Sequence, residues 1–212
     1  MITSNKDLMT QARDALSGRW GLAIATFLVY VVIMIVLNGI PNEYTFLFIL
    51  SFIFSLLLGG AFEFGIATFS LAIARQENAN FKMLFSGFKY FGKTLGLYLL
   101  MTLFIFLWTL LLIIPGIIAV ISYSLAFFIM SDNPSIGIME AINKSEKMMF
   151  GYKWKFFILN LRFIGWIILC ILSLGIGFLW IIPYISISCA KFYEDVKNNF
   201  IDNDNISGRD EK

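Results

Sequence analysis

Few side chains in this sequence could do chemistry, and the two that stand out are charges inside apolar stretches, Glu63 and Arg162. Counting at 1.5 Å per helical residue, Glu63 lies about 18 Å inward from Arg75, and Arg162 about 12 Å inward from Trp154. A charge near the centre of a bilayer costs at least about 2.5–3.5 kcal/mol on insertion scales, so a partner is expected. Paired, and with Asn160 close by, Glu63 and Arg162 could form an ion or proton site. They could equally form a buried clamp between two helical hairpins, or Arg162 could extend to the headgroups alone.

No other constellation competes. Histidine is absent, which removes the commonest general base and metal ligand. Cys170 and Cys189 both sit among apolar neighbours and read as thiols packed as small hydrophobes. There is no phosphate-binding glycine loop, no metal-ligand spacing and no Ser/Lys or paired-Asp arrangement. The expectation is no catalytic residue, no metal site, no cofactor and no nucleic-acid partner.

The elements that must position Glu63 and Arg162 follow from composition. Hydrophobic residues make up 59% of the 212 and charged residues 14%, with a mean hydropathy of +0.81. A soluble domain carries about 25% charged residues, so this reads as an all-α, polytopic membrane protein. Between Lys93 and Asp132 no residue is charged. As one helix, Thr94 to Ser131 would be about 57 Å long, against a hydrocarbon core of about 30 Å. The run must therefore cross twice, and Pro115-Gly116 is the expected turn, since proline removes a donor and glycine permits the reversal.

Taken in order, the chain repeats this plan. Ser4 and Asp7 suggest a cap, and Leu8, Ala12, Ala15 and Leu16 share one face of a surface helix. Trp20 to Leu37 is a first span, too long for a signal-peptide core and expected to be retained. Asn38 to Glu43 is a turn. Tyr44 to Ala74 exceeds one span, so it tilts or bends near Gly59-Gly60. Phe81, Leu84, Phe85 and Phe88 mark a second surface helix before the central hairpin. Asn133 and Pro134 suit the cap and first position of a third. Its buried side is expected at Ile138, Ala141, Ile142, Ser145, Met148 and Met149. Phe156–Leu172 and Phe178–Ala190 are the last two spans, joined by a turn at Ser173–Gly177.

The reading is six transmembrane helices in three tandem hairpins, each preceded by a short amphipathic surface helix. It makes one transmembrane domain over 1–195, with units 4–75, 80–132 and 133–195. Residues 196–212 form a polar cytoplasmic tail, expected to be disordered. The three junctions contain Gly18-Arg19-Trp20, Gly87-Phe88-Lys89-Tyr90 and Gly151-Tyr152-Lys153-Trp154. Arg19, Trp20, Lys89, Tyr90, Lys153 and Trp154 are candidate interface anchors, with rings at headgroup level and cations reaching lipid phosphate. Ala61 and Gly65, beside Gly60, form a small-residue stripe suited to close packing within the chain. The far-side turns carry no Lys or Arg, so the positive-inside rule places both termini in the cytoplasm of a multi-pass cell-membrane protein. Anionic lipid headgroups on that face are the expected partners. Protein partners and self-association are not specified by the sequence.

Several runs carry a resemblance. Leu84-Phe85-Ser86-Gly87-Phe88, Leu110 to Ile118, Asp132-Asn133-Pro134 and Glu140-Ala141-Ile142 are similar to the bacterial integral membrane proteins grouped as domain of unknown function 975. So are Ser145 with Met148-Met149, and Gly175 to Trp180 with Pro183-Tyr184. The resemblance implies a bacterial multi-spanning membrane protein and brings no reaction, ligand or catalytic residue. Function is therefore expected to be non-enzymatic, as a scaffold or a lipid- or envelope-associated factor. The alternative is a small transporter or channel using Glu63 and Arg162.

Overall fold

The chain begins with a capped helix that meets its first span nearly at a right angle. In the computed structural model, which describes residues 3–38, 45–173 and 175–210, Ser4 caps α1 (Asn5–Leu16). Its hydroxyl accepts from the Asp7 N–H at 3.2 Å and donates to the Asp7 carboxylate at 2.7 Å. Leu8, Ala12, Ala15 and Leu16 are buried, as their spacing requires. Gly18, at φ +75°, turns the chain through 98° into α2 (Trp20–Asn38).

Next, α3 (Thr45–Ala74) runs unbroken through Gly59-Gly60, so the choice between a long helix and a bend resolves to one helix. It ends in a Schellman motif: Gln76 takes φ +60°, its N–H reaches the Ile73 carbonyl, and the Glu77 N–H reaches Ala72. The expected turn at Asn38–Glu43 lies largely outside the described residues.

The stretch expected to be a second surface helix is a 3-10 helix, Phe81–Tyr90, which runs into the following helix as part of one candidate span, Phe81–Leu111. The Asn80 side chain accepts from the Lys82 N–H at 3.0 Å. In a 3-10 helix residues three apart eclipse, and Leu84 and Gly87 form its buried row while Phe85 and Phe88 form a half-exposed one. That buried row lies on the small-residue stripe of α3. A Cβ on Gly65 would stand 2.9 Å from the Leu84 Cα, and one on Gly87 2.7 Å from the Ala61 Cα. The stripe is thus used inside the chain.

The central hairpin is formed by α4 (Phe91–Leu111) and α5 (Ile113–Tyr123). The chain reverses at Leu112, three residues before the expected Pro115-Gly116. Proline sits in the first turn of α5, where its missing donor costs nothing. Gly116 instead lets the two arms touch, since a Cβ there would be 2.9 Å from the Thr109 Cα. After a break at Ser124-Leu125, α6 (Ala126–Asp132) completes the return. Asn133 ends α6 and folds back on Ser135, so it does not cap the next helix. That helix, α7 (Ile138–Met149), starts later, with the Glu140 carboxylate accepting from the Gly137 N–H. Its buried side is Ala141, Ile142, Ser145, Met148 and Met149; Ile138 is half-buried.

Then α8 (Lys153–Leu172) leads through a turn with Gly175 at φ +87° to α9 (Phe178–Asp210). Contrary to expectation, α9 does not stop at Ala190, and the segment read as a disordered tail is helical to Asp210. Four helices are long and apolar enough to cross a membrane, at Ile49–Ala74, Phe81–Leu111, Ile113–Asp132 and Lys153–Leu172. Among the described residues these are four, and the bent pair Asn5–Leu16 and Trp20–Val36 is a fifth only if the two form one span. The expected sixth is not among them, because Lys191, Glu194 and Asp195 follow the apolar start of α9 too closely. The molecule is all-helical in its described residues, with the apolar content of a multi-pass membrane protein.

Candidate functional site

Glu63 and Arg162 do not meet. Glu63 Oε1 accepts a hydrogen bond from the Tyr30 hydroxyl at 3.2 Å, joining α3 to α2. Arg162 lies exposed on α8, and no ion pair among the described residues joins it to Glu63. Asn160 is also apart, donating to the Phe156 carbonyl of its own helix at 2.9 Å. The physical reason is topological: α1 and α9 pack on both α8 and α3 and lie between them. Otherwise α8 meets α5, and α3 meets α2, α4, the 3-10 helix and α6.

The ionic groups gather instead at the helix ends near Arg75 and Lys155, the same ends from which Glu63 and Arg162 lie inward. Three cations bridge those ends. Arg19, just before α2, donates to the carbonyls of Glu77 (2.6 Å) and Gln76 (3.2 Å) beyond α3. Lys93, in the first turn of α4, donates to the carbonyls of Pro134 (2.9 Å), Ser135 (2.8 Å) and Ile136 (3.3 Å) beyond α6. Lys155, in the first turn of α8, meets Asp195 Oδ2 of α9 at 2.8 Å. Each contact ties the start of one helix to a neighbour, either just beyond its end, for α3 and α6, or at its middle, for α9.

Carboxylates then tie α3, α6 and α9 to one another. Asp132 accepts from Arg75, Lys197 (2.6 Å) and the Tyr193 hydroxyl (2.8 Å), and Arg75 also meets Glu194 at 2.6 Å. Asp195 also accepts from Thr3, through the hydroxyl at 2.6 Å and the N–H at 3.2 Å. Burial pushes the Asp195 carboxyl up, but the hydrogen bonds from Lys155 and Thr3 outweigh it and hold it below the usual carboxylate range. An open recess of about 420 Å³ lies beside this layer, lined in part by Thr3, Arg75, Lys191 and Glu194.

One further polar contact repairs a helix. The break between α5 and α6 frees the Ser122 carbonyl and the Leu125 N–H. The buried Ser145 hydroxyl of α7 donates to the first at 2.7 Å and accepts from the second at 3.2 Å.

The candidate anchors divide. Arg19 is committed to the two carbonyls, and Trp20 is half-buried against the core. Lys89 is exposed with its ammonium 5.5 Å from the Tyr90 ring centre, and Tyr90 packs on Phe64. Lys153 is half-buried, and Trp154 is 70% exposed and stacked on Phe157. Among the described residues no three His, Cys, Asp or Glu converge as a metal site would require.

Sequence reasoning missed the Arg75–Asp132–Glu194–Lys197 and Thr3–Asp195–Lys155 groups. A signal existed, since Arg75 and Asp132 each end an apolar run, but partners up to 192 residues apart leave no local trace. No curated protein and no solved structure matches this chain. A family model described as "Protein of unknown function (DUF975)" matches residues 1–126 and 109–200. Matched over nearly its whole length, the chain belongs to the DUF975 family.

Proposed function

We propose that this is a non-enzymatic protein of the cell membrane, a scaffold or lipid- and envelope-associated factor built on three hairpins and six spans. Both termini face the cytoplasm, and the bacterial origin implied by the resemblance belongs to the same reading. The supporting observation is a set of exposed cations beside exposed rings: Lys82 and Lys89 with the half-exposed rings of Phe85, Phe88 and Phe91, and Trp154 at the start of α8. Aromatic rings beside cations are the pattern of a membrane–water interface, and cations there attract anionic headgroups by about 1 kcal/mol each.

The transporter reading loses its main support, because it rested on a Glu63–Arg162 pair. The test is reconstitution in nanodiscs of mixed anionic and zwitterionic lipid, followed by lipid analysis. Anionic lipid is expected to be enriched around the protein, and Lys82→Gln with Lys89→Gln to remove much of that enrichment. Equal lipid composition with and without protein would overturn the reading, as would solute flux abolished by Glu63→Gln.

A further inference from the structure

A groove of about 510 Å³ separates the α1–α2 corner from the α8–α9 hairpin. Arg13 and Trp20 line one end, Ser173 and Gly177 the other, and Trp166 and Trp180 the walls between. Counted along α8 from Lys153, Trp166 is about 20 Å and Ser173 about 30 Å from the ionic layer. On α8 the lining therefore lies in the deeper part of the apolar span, and Arg13 and Trp20 close the groove at the α1–α2 corner. Its volume is in the range of small-molecule sites, about 300–1,000 Å³.

The two ends differ in charge. Arg13 is exposed and has no hydrogen-bond or ion-pair partner among the described residues, whereas Arg19, Arg75, Lys93, Lys155 and Lys197 are all engaged. A guanidinium without a partner is suited to a phosphate, which it can grip through two donors. Below it the walls are indole faces and aliphatic side chains, which favour a hydrocarbon chain over any water-soluble ligand. Three of the five tryptophans line this one groove.

We infer that the groove holds one anionic glycerophospholipid, with its phosphate on Arg13 and an acyl chain between Trp166 and Trp180. This rests on the reading that the chain spans a bilayer. It concerns one retained lipid, distinct from the general enrichment around Lys82 and Lys89.

The test uses the full-length protein in nanodiscs containing an anionic phospholipid with a photoreactive acyl chain, with labelled peptides located by mass spectrometry. Labelling is expected to concentrate on Trp166–Ser173 and Gly177–Tyr184. Arg13→Gln is expected to reduce it about ten-fold, the effect of losing one charge-assisted contact. Leu169→Trp fills the groove and is expected to do the same without touching the charge; both positions are exposed, so folding is not at risk. A zwitterionic analogue is expected to label these peptides several-fold less. Labelling of groove peptides no stronger than that of the exposed face at Leu103–Leu110 overturns the groove alone. So does indifference to either substitution. No labelling of either region overturns the membrane-spanning reading as well.

Discussion

The first and third units open alike, and the second does not. Both α1 and α7 have 12 residues, and both bury their fourth, eighth, eleventh and twelfth positions. Both end at an extended residue, Ser17 (φ −57°, ψ 129°) or Phe150 (φ −62°, ψ 126°), followed by a left-handed glycine, Gly18 (φ +75°) or Gly151 (φ +80°). In the second unit the matching Gly87 lies within a 3-10 helix, pressed against Ala61. One sequence feature, a glycine before basic and aromatic residues, thus serves two physical ends. In units one and three it turns the chain; in unit two it lets two backbones touch.

Substitution separates these roles. Gly87→Ala is expected to have the largest effect, about 3 kcal/mol, because the new methyl meets backbone that cannot yield. In detergent that reads as a melting point lower by roughly 6–12 °C. A loss near that of Gly18→Ala would show that the contact is looser than described.

Units one and three are also tied to each other through Asp195, which holds Thr3 and Lys155, and this tie has a pH signature. The folded pKa of Asp195 lies below its unfolded value of about 3.9. Its stabilisation is complete above that value and is lost as pH falls through the folded one. Lys155→Gln is expected to cost about 1.5 kcal/mol at neutral pH. It is also expected to flatten the loss of stability below about pH 4, because Asp195 then has less to lose on protonation. Arg19 and Lys93 close their hairpins on carbonyls, so Lys93→Gln is expected to leave the acid slope unchanged.

The turning glycines come next. A Cβ on Gly18 or Gly151 meets nothing within 4 Å, so alanine costs only the left-handed backbone, about 1 kcal/mol each. Asparagine, which tolerates that conformation, is expected to recover most of it. Unequal costs at the two sites would break the likeness of units one and three.

Smallest of all is the pair the sequence singled out. Glu63→Gln keeps a hydrogen bond to Tyr30, and Arg162 has no contact with Glu63. Glu63→Gln and Arg162→Gln are each expected to cost less than about 1 kcal/mol and to add in the double mutant. Non-additive losses would restore the clamp.

What the sequence disclosed was whatever depends on spacing and length. The buried faces of α1 and α7, the Ser4 cap, the small-residue stripe and the fold-back of the 94–131 run were legible because each is a local pattern. The reversal at Leu112 was not, since Pro115 reads equally well as a turn residue or as a first-turn residue of the next helix. The start of α7 was misplaced for a related reason: Asn133 can cap a following helix or close its own turn. The extent of α9 was hidden because polar composition argues for a solvated tail and says nothing of helix continuity. Most opaque was the ionic layer. A charge at the end of an apolar run announces an interface, but which distant charge meets it depends on how the helices pack.

The central proposal is that the α4–α5 and α8–α9 hairpins place their ionic ends on one side of a membrane and their turns, at Leu112 and Gly175–Gly177, on the other. Single cysteines at Lys82, Lys147, Leu112 and Ile176, in a background lacking Cys170 and Cys189, test it with a membrane-impermeant thiol reagent on intact cells. The account predicts that Leu112→Cys and Ile176→Cys label from outside, and that Lys82→Cys and Lys147→Cys label only after the membrane is opened. Labelling of Leu112→Cys and Ile176→Cys from opposite sides would contradict it.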